Sequence, residues 1–234
     1  ISGVPTGATL SAGTDNGDGT WSLIQSQLSD LSITPPSDDD GDFTLTVTAT
    51  ASEGGSTSQS VGTIDVSVAA VADAPSLSVA AASGNEDTAI SLSLSSALTD
   101  TDGSESLGIV ISGVPTGATL SAGTDNGDGT WTLTSAQLSG LSITPPSDDD
   151  SDFTLTVTAT ATDGASTTQS VGTVAVTVGA VADAPSLSAG NVSGNEDTAI
   201  SLSLSAALTD TDGSESLGVV ISGVPVGAQF SAGT

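Results

Sequence analysis

The chain has 234 residues, among them 28 Asp and Glu and no Lys, Arg, His or Cys, so its formal net charge is −28. Without a basic face it cannot hold nucleic-acid phosphates, and an anionic membrane surface repels it. With Tyr missing as well, Ser–His–Asp triads, thiol nucleophiles, Schiff-base lysines and His/Cys zinc sites are all excluded. A carboxylate pair for glycoside hydrolysis would remain, but aromatics make up only 2% of the chain, too few for a sugar cleft, and no enzyme is expected. No stretch approaches the ~20 apolar residues of a membrane span, so direct membrane insertion is not expected. The 36% hydrophobic content and its regular spacing argue against disorder.

In chain order, residues 1–75 come first and return as residues 111–185 with identity at 61 of 75 positions. Residues 76–124 return as 186–234 at 40 of 49 positions, so Ile1, Ile111 and Ile221 each open the string ISGVP, 110 residues apart. A fixed period means one structural unit used repeatedly, and this period has the size of an independent domain. The string VADAP, at Val71–Pro75 and Val181–Pro185, marks the joints, because Pro lacks the N–H of a sheet ladder. One complete unit therefore spans 76–185, preceded by the rear of one (1–75) and followed by the front of another (186–234). With no initiating Met and no signal peptide, a longer polypeptide is expected to extend past both ends.

Within 76–185, Ile90, Leu92 and Leu94 alternate with serines, and Leu107, Ile109 and Ile111 share one face of a second run. Ala118–Gly123 and Gly129–Thr134 flank TDNGDG, which predicts a hairpin, and a short helical turn is expected near Ser135–Leu138. Phe153, Leu155, Val157 and Ala159 alternate with threonines, and Val174, Val176 and Val178 with Ala175 and Thr177. Period-two alternation marks strands with one dry and one wet face. Seven or eight such strands per 110 residues predict an all-β fold of tandem immunoglobulin-like (cadherin-like) Greek-key β-sandwiches. Eight strands alternating up and down would return the exit beside the entrance, whereas a string of units needs them at opposite poles. One run is therefore expected not to span the sandwich, or one connection to cross its end.

No side-chain cation is present to pair with any carboxylate, so each acid faces water, accepts backbone or hydroxyl hydrogen bonds, or binds metal. The sharpest acidic group is LTDTDGSES, with Asp100, Asp102 and Glu105, repeated as Asp210, Asp212 and Glu215. Acids two apart followed by Gly and another acid resemble the opening of an oxygen-rich calcium loop, although the later spacing is not that of an EF-hand. The string GNED contributes Glu86 and Asp87, repeated as Glu196 and Asp197, and each joint contributes Asp73 or Asp183. Softer candidates are the hairpin acids Asp125 and Asp128 and the run Asp148, Asp149, Asp150 and Asp152. Turn chemistry alone accounts for Asp and Asn in the hairpin. Carboxylates converging on a joint would repel, and a divalent ion reverses the sign of that interaction.

The tandem occurrence of VADAP, GNEDTAISLSLS, LTDTDGSESL and SDFTLTVTATATDG resembles the extender repeats of large bacterial RTX adhesins, along the whole chain. The resemblance implies a calcium-stiffened extracellular stalk on the bacterial cell surface, holding an adhesive tip away from the cell, often in biofilms. It also implies Asp183 as a joint ligand, Asp210 and Asp212 as a pair from the following unit, and the GNED acids as ligands from the preceding one. Expected partners are neighbouring repeats of the same chain. A self-assembling filament or surface-layer subunit, built from other copies, and a glycan-binding module on the Thr or Trp surface are the rival readings. Thr rows on a strand's outer face are accounted for by β-propensity and solvation, and Trp21 and Trp131 by plugging one end of each core.

Overall fold

A computed structural model describes residues 1–100 and 103–232. The chain is all-β. Residues 1–75 carry β1 (Thr9–Leu10), β2 (Thr14–Asp15), β3 (Trp21–Ser22), β4 (Ile33–Thr34), β5 (Phe43–Glu53) and β6 (Ser56–Val66). The next 110 residues begin with β7 (Ser76–Val79), β8 (Ala82–Asn85), β9 (Ile90–Ser91), β10 (Leu94–Ala97) and β11 (Ser106–Ser112). They continue with β12 (Thr119–Leu120), β13 (Thr124–Asp125), β14 (Thr130–Leu133), β15 (Ser142–Thr144), β16 (Phe153–Asp163) and β17 (Ser166–Gly179). Beyond the second joint lie β18 (Ser186–Ala189) and β19 (Leu204–Ala207).

In residues 76–185 one six-stranded sheet runs β13-β14-β11-β16-β17-β8, opposed by β12-β15-β9 and by the pair β10-β7. The inward positions of β11, β16 and β17 supply Ile109, Ile111, Leu155, Val157, Val174 and Val176; the opposing elements supply Ile90, Leu92, Leu94, Leu120, Leu141 and Ile143, all in one buried cluster. The alternation in β16 is followed residue by residue, with Leu155, Val157, Ala159 and Ala161 buried and the intervening threonines turned outward. The expected helical turn is a 3₁₀ turn at Ser135–Leu138, where Gln137 Oε1 accepts the Thr134 N–H at 2.8 Å and Leu138 enters the core.

The hairpin differs from its expected form. Thr124 and Asp125 pair with β14, but Thr119 and Leu120 pair with β15 in the opposing sheet. The chain changes sheets at Gly123, whose φ of +103° disfavours any side chain and whose added Cβ would lie 2.9 Å from Leu133 and 3.0 Å from the Thr132 carbonyl. Gly123→Ala is expected to destabilise the chain by more than about 1 kcal/mol, read as a lower urea midpoint at unchanged slope.

The route of the chain also answers the question of its poles. β7 pairs with β10, the backbone then switches sheets, and β8 joins β17 in parallel, with Val176 beside Ala82 and Gly179 beside Asn85. The first and last strands run in the same direction, so the chain enters at one pole and leaves at the other. Two short strands in different sheets share the work of a single spanning strand.

Candidate metal centre

The first VADAP string is tied to residues that follow it in the chain. The Ala72 N–H donates to Ser166 Oγ at 3.0 Å, Thr99 Oγ1 to the Ala74 carbonyl at 2.5 Å, and Ser170 Oγ to the Pro75 carbonyl at 2.6 Å. Glu105 Oε1 accepts the Asp73 N–H at 2.6 Å. Asp73, Asp100 and Glu105 each place a carboxylate oxygen within 4.8 Å of the others'. The acids Asp38, Asp39, Asp40 and Asp163 line the same cleft of about 390 Å³ as Asp73 and Asp100.

Around the second VADAP string, Val181–Pro185, acids far apart in the chain meet. Glu86, the residue just past β8, groups with Asp210 and Asp212 from the far side of the VADAP string, and Asp87 groups with Asp148 and Asp183; within each group the oxygens lie within 4.8 Å of one another. Asp87 and Asp148 take φ of +57° and +55°, a left-handed conformation that Asp tolerates better than most residues. Glu86 Oε1 accepts the Val181 N–H at 2.6 Å, and Glu215 Oε1 accepts the Asp183 N–H at 2.5 Å. Asp210 and Asp212 are held in turn by the N–H groups of Asp212 and Ser214.

The three joint glutamates share one pattern. Each gives one oxygen to a linker amide, and the other oxygen of Glu86, Glu105 and Glu215 is buried with no hydrogen-bond partner. Glu86 is 1% exposed and Glu105 9%. A buried carboxylate oxygen without a donor is costly, and among neighbouring acids a divalent cation would satisfy it. Oxygen-only, anionic donors are of the type calcium takes, and each group of three acids would supply part of its six to eight ligands. The donor set therefore fits the metal that the sequence suggests.

Electrostatics follow the crowding. The Val181 N–H lowers the pKa of Glu86, but burial and the charges of Asp210, Asp87 and Asp150 outweigh it and raise the carboxyl above its ordinary value. Burial, then the charges of Asp87 and Asp183, raise Asp148. Hydrogen bonds from the Ser214 backbone and side chain lower Asp212. A raised native pKa means that the folded state binds the proton more tightly, so its contribution is complete below the unfolded value and lost as pH rises through the native one. In chelator, the melting midpoint is expected to rise as pH falls from neutrality toward the ordinary glutamate value of 4.5. The lowered groups Asp212, Asp18 and Asp128 destabilise only below the ordinary aspartate value of 3.8. With calcium bound the first trend is expected to reverse, because protons and metal compete for the same oxygens.

Of the predicted ligands, Asp73, Glu86, Asp87, Asp100, Glu105, Asp183, Asp210 and Asp212 are gathered into groups, and Glu215 stands at the second joint. Asp102 lies outside the described residues. Glu196 and Asp197 are exposed and join no group among the described residues. Their equivalents Glu86 and Asp87 are brought to acids lying 61 to 126 positions further on. The hairpin acids serve the turn itself: Asp125 accepts the Gly127 N–H at 2.8 Å, and Asp128 accepts the Thr130 N–H at 3.1 Å and its hydroxyl at 2.6 Å. Asp152 likewise holds the Val178 N–H at 2.9 Å. Sequence reasoning missed Asp163, 4% exposed, which ends β16 and reaches the first joint; its Asp-Gly signal reads as an ordinary turn.

No family model matches the chain, and no curated protein matches it. Solved structures that resemble it include an endo-fucoidan hydrolase of glycoside hydrolase family 107 and a variant of the same enzyme, each at 15% identity and a TM-score of 0.27. The likeness covers 87% of this chain and 34% of the hydrolase chain, so this chain spans about a third of their length. At that TM-score it bears on neither fold nor activity.

Proposed function

We propose that the chain is a non-enzymatic extracellular stalk of tandem immunoglobulin-like sandwiches, stiffened by calcium at the joints, in a cell-surface adhesin of the RTX type. The observation that carries this reading is Glu86. One of its oxygens fixes the linker amide of Val181 and the other is buried without a partner, beside Asp210 and Asp212 of the following unit. An ion bound there would join two units and the linker between them in one coordination shell. The opposite-pole route of the chain supports an extended string, to which each unit would add a few tens of ångströms, from ~3.4 Å per strand residue. Surface adhesion and support of biofilm are the roles such a stalk would serve, its partners being the neighbouring repeats of the same polypeptide. The test is the calcium dependence of melting and of overall length.

A further inference from the structure

At one side of the six-stranded sheet the last strand, β8, is too short to cover β17 along its length. β17 pairs with β16 along its first eleven residues, Ser166–Val176, whereas β8 covers the opposite side only from Val176 to Gly179. Among the described residues, Ser166–Ala175 makes no backbone ladder on that second side. The linker and β7 run alongside, but the linker is attached through the hydroxyls of Ser166 and Ser170. An open cleft of about 510 Å³ lies between β7 and β17, lined by Leu77, Ser78, Val79, Ser170, Val171 and Gly172.

Sheet edges are normally protected by charges, Pro or bulges, because free N–H and C=O groups template pairing with another chain. Here residues 164–182 contain neither a charged residue nor Pro. In a chain of net charge −28, two copies can approach through such a stretch without opposing carboxylates. Identical edges paired antiparallel about a two-fold axis are self-complementary. The outward row Val110–Thr158–Val171, with Val171 61% exposed, would continue into the second sheet. The string QSVGT recurs at Gln59–Thr63 on β6, where Val61 is 66% exposed.

We propose that the free edge of β17 is a lateral docking strand for a second copy of this chain, joined by antiparallel backbone pairing. This does not rest on the metal reading. Sedimentation velocity of the full chain in calcium, from roughly 0.05 M to roughly 1 M salt, is expected to show a monomer giving way to a dimer as repulsion is screened. Hydrogen exchange at the amides of Ser166–Val174 is expected to slow in the dimer. The double variant Val61→Glu, Val171→Glu should weaken dimerisation by about tenfold or more through like charges across the new pair. Val110→Glu, on the same face but an interior strand, should leave the dimer in place. A monomer at every salt concentration, a dimer undiminished in the double variant, or unchanged exchange at Ser166–Val174 would each overturn the proposal. Exchange in the unaltered chain decides the matter even where a variant fails to fold.

Discussion

Calcium added to the chelator-treated chain is expected to raise its melting midpoint and lengthen it in solution. Extracellular calcium modules bind with Kd on the order of 10⁻⁴–10⁻³ M, and at tenfold excess over Kd each ion adds about 1.4 kcal/mol. For a unit near 110 residues that is a shift of roughly 5–10 °C per ion. Magnesium should do less, since it demands octahedral geometry and sheds its waters reluctantly. Small-angle scattering should show the maximum dimension falling when calcium is withdrawn, because acids from adjoining units then repel across the linker with no cationic side chain to offset them. A midpoint that stays fixed in about 10 mM calcium would reject the metal reading outright.

The second large effect is expected from Glu86→Gln. Glutamine keeps an amide oxygen for the Val181 N–H, so the linker contact survives. It removes the charge that faces Asp210, Asp87 and Asp150. In chelator the variant should therefore melt at or above the temperature of the unaltered chain. In calcium it should melt below it, with an affinity at the second joint lower by about tenfold or more. Glu86→Ala also loses the linker bond and should melt lower in both conditions. This crossing of the two curves separates a metal ligand from a residue that merely packs. The first joint, whose group is Asp73, Asp100 and Glu105, should keep its own calcium response in either variant.

Much of the fold was legible because a strand buried on one face writes its period into the sequence. Leu155 and Val157 alternate with Thr154 and Thr156 in the chain and in the sheet alike. Pairing partners were not legible, because they are set by residues far away. Ile109 is wholly buried between β14 and β16, whereas its equivalent Val219 is 59% exposed in nearly the same local sequence and lies in no paired strand among the described residues. The sheet switch at Gly123 likewise depends on Leu133, which no local pattern announces. At the joints, the acids of LTDTDGSES and GNED were visible by type and spacing. Their sorting into Glu86 with Asp210 and Asp212, and Asp87 with Asp148 and Asp183, came only from the route of the backbone. Asp125 and Asp128 show the converse: the same residue types, placed in a tight hairpin, spend their oxygens on neighbouring amides and hydroxyls.

The parallel seating of β8 beside β17 has a mechanical consequence. Tension along the polypeptide pulls Pro75 and Gly179 apart, drawing β8 backward and β17 forward past each other. The hydrogen bonds linking Ala82–Asn85 to Val176–Gly179 are then loaded in shear, all at once, instead of being peeled open one by one. Pulled from its two ends, residues 76–185 would resist stretching most strongly where β8 lies beside β17.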